Sequence, residues 1–417
     1  MLTPANPANG RAIGDTIIEK GTRIMKKPKL RTGIIGAGFS ARFHFEAVQR
    51  VVCANVDVVG VHARTDASTR AFADKHAIEA FGNIDALLDG VDVLHVCVPP
   101  ALHEDVAIKA LSRGVYPIVE KPLTGYFGGG AEDFDGRNAS MTEARDGALD
   151  SIRRMREAES RSKARILYAE NWVYAPTIQK EREILEKTGG QILWMHGEEA
   201  HSGSHAPSYG HWRLAGGGSM IGKGCHPLTA ALYLKKVEGR ARFGKPIRPA
   251  SVTARAHTLT QLPGFVDTGH LRADYNDIED FAMIHVTFED GTIATVFASE
   301  VVLGGVHNWL EVCAGNHRAI CNLNPSNQMQ TYNPVESQFD DIYVVEKIGT
   351  KQGWAMTAPD EDFSHGFPQE IEAFYRTVAH GDDVESDSQL AADCISTIYS
   401  GYVSAANRGK EEPVTLL

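Results

Sequence analysis

Two side chains of this 417-residue chain have the types needed to move a proton and to stabilise a developing alkoxide. Lys121, in Glu120-Lys121-Pro122, directly follows Tyr116-Pro-Ile-Val119, which reads as a strand. An ammonium there can hydrogen-bond a substrate hydroxyl and stabilise the alkoxide as hydride departs. Pro122 fixes the turn, and Glu120 can hold the lysine or contact a cofactor. His226 closes the segment Trp212-Arg213-Leu-Ala-Gly-Gly-Gly-Ser-Met-Ile-Gly-Lys-Gly-Cys-His226, where three glycines precede an apolar, helix-forming stretch. Neutral imidazole is the usual group for taking a hydroxyl proton near pH 7. Singly, each has a plain reading, as a solvated turn pair or a structural histidine. As a pair they suit hydride transfer.

The hydride needs a carrier, and the chain offers a place for one. Arg31-Thr-Gly-Ile-Ile-Gly-Ala-Gly-Phe-Ser-Ala-Arg-Phe-His44 runs from an apolar strand through a glycine turn into a helix. Gly36 and Gly38, with Ala41 in the third small position, permit a tight turn and close backbone approach to a pyrophosphate. The N–H groups of the following helix then face the phosphates. After the next strand, Val56-Asp-Val-Val-Gly-Val61, an NAD enzyme should present a carboxylate to the ribose 2′-OH. The sequence instead gives His62-Ala-Arg64-Thr65, with no acid until Asp66. Arg64 and Thr65 suit a 2′-phosphate, so NADP(H) is the expected cofactor. Arginine can also stack on adenine, so NAD(H) stays open.

His196, His201, His205 and His211, with Glu198 and Glu199, raise the question of a metal. The Ser-Gly-Ser between His201 and His205, and the nearby Pro207 and Gly210, oppose the helix that would align the pair, so no metal is expected. The stretch from His201 to Tyr209 reads as a polar loop over the active site. His205 and Tyr209 are expected to contact substrate, together with Asn171 and Tyr174.

These side chains need a frame. Strands at Val56–Val61, Val91–Val98 and Tyr116–Val119 alternate with helices at about 67–76, 101–113 and 143–160. A strand at Ala164–Glu170 follows. That alternation implies a doubly wound parallel sheet with binding at the carboxyl ends of its strands. Residues 125–142, rich in Gly and Asp, read as a surface loop. The second half is strand-rich, at Ser251–Thr260, Asp280–Phe288, Thr292–Val301, Asn308–Ala314 and Arg318–Leu323. It suggests a mostly antiparallel sheet with one open face. The domain reading is an N-terminal arm at 1–29, disordered or wrapped on a partner, a dinucleotide-binding domain at 30–170, and a substrate-binding and oligomerisation domain at 171–417. The last helix, 388–408, packs back on the core.

A net charge of −11 with no long basic run disfavours nucleic acid or an anionic membrane as partner. No stretch approaches the roughly 18 apolar residues of a membrane span. The first 29 residues lack an export signal, and six scattered cysteines without a CxxC pair fit a reducing cytoplasm.

The chain resembles the glucose–fructose oxidoreductase/inositol dehydrogenase/MocA (Gfo/Idh/MocA) family. The matching residues are the Gly36/Gly38 turn ending in His44, Val91-Asp-Val…Pro99-Pro100-Ala-Leu-His103, and Glu120-Lys121-Pro122. Trp212-Arg213…His226, Glu279-Asp280-Phe281…Phe288-Glu-Asp-Gly291 and the final helix follow in order. The resemblance implies a Rossmann domain joined to an α/β domain whose open sheet makes a dimer or tetramer. It also implies hydride transfer at a secondary carbinol of a sugar, sugar derivative or cyclitol. Lys121 and His226 match the catalytic lysine and histidine. Phe39 and Ser40 would offer N–H groups to the pyrophosphate, Pro99, His103 and Glu120 would line the cofactor, and Trp212 and Arg213 would approach nicotinamide and substrate.

Many members carry an aspartate four residues before the histidine, where this chain has Gly222 followed by Lys223. Catalysis is therefore expected to rely on Lys121 and His226 without a carboxylate partner. Lys223 either shares the helical face of His226, favouring neutral imidazole or gripping an anionic substrate group, or points to solvent. Two other functions remain: redox-neutral glycoside cleavage around a tightly held NAD, and a non-catalytic dinucleotide sensor.

Overall fold

The computed structural model describes residues 27–131, 133–324 and 328–417; most of the 1–29 arm lies outside them. Among the described residues, the N-terminal half builds a parallel sheet from β1 (Lys29–Ile35), β2 (Asn55–His62), β3 (Glu79–Ala80), β4 (Val93–Val96), β5 (Tyr116–Glu120) and β6 (Leu167–Ala169). Its order is β3-β2-β1-β4-β5-β6. All five pairings are parallel. Helices cover both faces, so β4 is buried at every position and reads as a continuous apolar run. Winding reverses between β1 and β4, the point outside whose carboxyl ends sheets of this topology bind ligands.

Gly36 turns the chain out of β1 with φ +106°, and a Cβ there would lie 2.0 Å from the Cys97 carbonyl oxygen. Only glycine fits. The helix Phe39–Val48 begins at once, with Gly38 as an N-cap that lends no side chain. It buries Ala41, His44, Ala47 and Val48 on one stripe.

The second sheet comprises β7 (Ile192–Ala200), β8 (Pro249–His257), β9 (Phe281–Phe288), β10 (Ile293–Ser299), β11 (His307–Ala314), β12 (Arg318–Asn324) and, past the hairpin β13 (Gln330–Asn333)–β14 (Gly353–Met356), the short β15 (Glu412–Pro413). The order is β12-β11-β7-β10-β9-β8-β15. Its pairings are antiparallel, except that β10 runs parallel to β7. Strict alternation in β9 buries Ala282, Ile284, Val286 and Phe288. The opposite face is open, with Trp194 42% and Ile320 57% exposed.

Strand β7 is not among the strands read from the sequence, where His196, Glu198 and Glu199 enter only the question of a metal. The loop begins only at His201. Polar residues hid the strand: His196 and Glu198 face the open side, where Trp309 packs on His196 and donates to Glu198. The stretch 125–142 also differs from a simple surface loop. Tyr126 N–H donates to the Tyr399 hydroxyl, and Gly136 N–H to Asp277.

The helices Met141–Ser160 and Ser388–Ala406 hold the halves together. Each has a side-chain N-cap, Ser140 and Asp387 respectively. The second is buried along nearly its whole length and contacts Met141–Ser160, Cys225–Phe243 and β8.

Candidate active site

Lys121 leaves the carboxyl end of β5, and its ammonium donates to the Gly222 carbonyl at 2.8 Å. Its turn is held from behind. Glu120 accepts the Lys121 backbone N–H at 3.0 Å, and its other oxygen lies 2.9 Å from His44 Nε2. His44 Nδ1 is 2.7 Å from His95 Nδ1, and His95 Nε2 is 3.0 Å from the Tyr375 hydroxyl. Glu120 thus positions the lysine. Burial would raise its carboxyl, but the His44 hydrogen bond and the His44 and Lys121 charges hold it below the ordinary range. Burial opposes the charge of Lys121, yet Coulomb coupling to the acidic groups around it, Tyr209, Cys225, Glu199 and Glu120, keeps its pKa above the usual lysine value. It is an ammonium at neutral pH.

His226 sits in the first turn of the helix Cys225–Phe243, stacked on the buried Trp172. Its Nδ1 lies 2.5 Å from Glu170 Oε1, and its Nε2 lies 3.7 Å from Glu199 Oε2. The expectation of a histidine without a carboxylate is therefore corrected. Glu170 at the end of β6 and Glu199 on β7 flank the ring from two directions. Burial drives the imidazole down to about 3, against the charge of Glu199, which raises it. Burial also pushes Glu170 up to about 8.

The missing aspartate has a local reason. A Cβ on Gly222 would stand 3.3 Å from the Tyr209 ring, so tyrosine fills the space a side chain at 222 would take. Lys121 Nζ lies 5.8 Å from the centre of the same ring.

Lys223 neither shares the His226 helix nor points to solvent, but its charge does help to lower the His226 imidazole, as expected of a nearby ammonium. The helix breaks between Ser219–Gly222 and Cys225–Phe243, and Lys223 is only 2% exposed. Its ammonium contacts His201 Nε2 and lies 3.4 Å from Glu300. It clamps the root of the loop 201–211, which Arg272 also holds through the Ser204 and Ala206 carbonyls. Farther along, His205 pairs with Glu346 at 3.1 Å and packs 5.3 Å from Phe39, on the side of the phosphate turn.

Four other expected contacts are spent inside the fold. The Tyr174 hydroxyl bonds Ser386, and the Asn171 amide donates to the His365 carbonyl. His103 is wholly buried, each ring nitrogen 2.9 Å from a carbonyl, of Pro122 and of Val98. It ties the loop after β4 to the loop after β5. Trp212 donates to the Tyr126 carbonyl and packs on Tyr402. Pro99, Arg64, Thr65 and Arg213 are exposed; Thr65 caps the helix Asp66–His76.

The phosphate turn fits a dinucleotide. A Cβ on Gly38 would meet nothing within 4 Å, and the helix behind it has no side-chain cap, so its first N–H groups remain for an anion. A metal fits less well. Glu170, Cys225 and His226 bring donor atoms within 4.8 Å of one another. Burial, however, keeps the Cys225 thiol protonated, and the Lys121 charge stands beside it. The arrangement suits proton exchange.

Glu170 and Glu199 were the residues missed. The available signal was a lone carboxylate ending an otherwise apolar strand, Ile166-Leu-Tyr-Ala-Glu170.

A family model described as the oxidoreductase family, NAD-binding Rossmann fold, matches residues 30–130, and the GFO/IDH/MocA C-terminal domain matches 178–317. UDP-N-acetylglucosamine 3-dehydrogenase of Acidithiobacillus ferrooxidans is 33% identical over 95 residues, which cover 23% of this chain and 29% of that relative. The structure of GenD2 from gentamicin A biosynthesis, solved with NAD, superposes with a TM-score of 0.75 at 20% identity, covering 93% of this chain and 97% of that one. Myo-inositol 2-dehydrogenase from Lactobacillus plantarum gives 0.67 at 18%, covering 93% and 100%. With both domain models matched in order on a parallel sheet and a mixed sheet, the chain belongs to the Gfo/Idh/MocA family of oxidoreductases.

Proposed function

We propose that the protein transfers a hydride between NAD(P) and a secondary carbinol of a sugar, sugar derivative or cyclitol. The observation that carries this reading is the convergence of a charged lysine and a neutral histidine, from different elements, around the Gly222 turn. When bound, the dinucleotide supplies the hydride acceptor. Lys121 donates a hydrogen bond to the carbinol oxygen and stabilises its negative charge. His226 takes the hydroxyl proton on Nε2, while Nδ1–H donates to Glu170 and fixes the ring. Related proteins named as sugar-nucleotide and inositol dehydrogenases support this substrate class.

NADP(H) is the proposed preference, since Arg64 is exposed just beyond β2 and the first acid, Asp66, already lies in the following helix. NAD(H) remains usable through stacking on the arginine. The open sheet face is the proposed surface of a homo-oligomer, a dimer or tetramer. Six free thiols suit a cytoplasmic enzyme, and among the described residues no helix is long and apolar enough to cross a membrane.

The test is a thermal-shift titration with NADP and NAD, followed by a panel of polyols and glycosides read at the NAD(P)H absorbance. The native protein is expected to reduce the cofactor with at least one polyol, and Lys121→Met to lose about 10³-fold in kcat while still binding cofactor. Product without NAD(P)H accumulation points instead to redox-neutral glycoside cleavage. Cofactor binding with no turnover of any kind points to a sensor.

A further inference from the structure

Among the described residues, Glu199 is the one carboxylate beside His226 that the proposed chemistry leaves without a task. It is the penultimate residue of β7, and its neighbour Glu198 faces the opposite side of the sheet, bonded to Trp309. Glu199 faces inward, its side chain 10% exposed and its Oε2 buried with no hydrogen-bond partner among the described residues. That atom lies 3.7 Å from His226 Nε2, the ring nitrogen that Glu170 does not use. Lys121 and Lys223 act on the same carboxylate. An inward carboxylate oxygen without a partner costs free energy until something donates to it.

The separation of 3.7 Å is too long for a direct hydrogen bond. It matches what is left when two neighbouring ligand oxygens are seated, one on Nε2 and one on Oε2, each by a bond of about 2.8 Å. We propose that Glu199 accepts a hydrogen bond from the hydroxyl on the carbon next to the one oxidised, which makes a ring vicinal diol the required substrate element. This rests on the dehydrogenase reading, since it takes the carbinol oxygen to lie on His226 Nε2. Glu199 acts here as a specificity residue, with His226 keeping the proton transfer.

The test compares a cyclitol or pyranose that the cofactor-loaded protein oxidises with its analogue deoxy at the adjacent carbon. The native protein should favour the diol by at least about 10²-fold in kcat/KM, because a site built to bind a hydroxyl rejects a ligand lacking it. Glu199→Ala should bring that ratio close to one, chiefly by losing the diol. Glu199→Gln keeps the shape and one acceptor and should restore part of the preference, which separates recognition from a general loss of fold.

Equal turnover of diol and deoxy analogue by the native protein overturns the proposal, as does a ratio unchanged in both variants. Should the native protein bind cofactor yet oxidise no diol, the dehydrogenase reading falls. Glu199 is then judged by thermal shift of the cofactor-loaded protein. A larger shift with the diol than with the deoxy analogue, abolished in Glu199→Ala, supports it, and equal shifts overturn it.

Discussion

At the scale of single residues, the site turns on how two buried groups share protons. Glu170 Oε1 and His226 Nδ1 are 2.5 Å apart, so they titrate as a pair. With Glu170 raised to about 8 and His226 lowered to about 3, the pair holds two protons below about pH 8 and one above. Only the one-proton form leaves Nε2 bare while Nδ1–H faces a carboxylate. Alcohol oxidation should therefore rise with pH through about 8, and carbonyl reduction should fall through the same range. Glu170→Gln should flatten both profiles and cost on the order of 10²–10⁴-fold in kcat, as loss of an orienting carboxylate does elsewhere. Stability gives an independent check. The folded carboxyl holds its proton more tightly than the unfolded one and the folded imidazole less tightly, so the two offset each other from about 4.3 to about 6.5, and stability declines as pH climbs from about 6.5 to about 8. The glutamine variant should show a flatter melting temperature across that window.

At the scale of elements, the phosphate turn separates two uses of glycine. Gly36 is required by the fold, because a Cβ would collide with the Cys97 carbonyl and φ is +106°. Gly38 faces open space. Gly36→Ala should destabilise the protein by about 2–3 kcal/mol or more, through strain at a positive φ and steric overlap. Gly38→Ala should leave unfolding within about 0.5 kcal/mol of the parent and weaken the dinucleotide by about tenfold, since the backbone no longer approaches the pyrophosphate. Denaturant melts with and without cofactor distinguish the two. A similar local logic places Tyr209 against Gly222. Loop 201–211 supplies the ring that fills the vacated aspartate position, and Lys223, Arg272 and Lys347 hold that loop in place.

At the scale of the whole molecule, the long buried helix Ser388–Ala406 and its neighbours Met141–Ser160 and Cys225–Phe243 join the two sheets, so β5, β6, β7 and the histidine helix keep fixed relative positions. The unpacked surface lies on the other side of the mixed sheet. In the proposed homo-oligomer this open face is the association surface. Trp194→Asp combined with Ile320→Asp is expected to reduce the mass in light scattering to that of one chain, with the circular dichroism spectrum retained. A native mass of one chain overturns the oligomer proposal, and an unchanged higher mass moves the interface elsewhere.

The sequence alone determined the parts whose signals are local. The Gly36/Gly38 turn, the alternation of β9 and β10, and the placement of Lys121 after β5 and of His226 on a helix depend on neighbours a few residues away, where periodicity and backbone sterics act. Tertiary structure decided which side chains meet. Glu170 and His226 are 56 residues apart, and nothing in either stretch states that they pair. Tyr174, Asn171, His103 and Trp212 are polar or aromatic residues near site motifs, as substrate contacts would be, yet long-range hydrogen bonds to Ser386, His365, Pro122 and Tyr126 absorb them. A buried polar group must find a partner wherever the fold supplies one, and that partner is set by packing between distant segments.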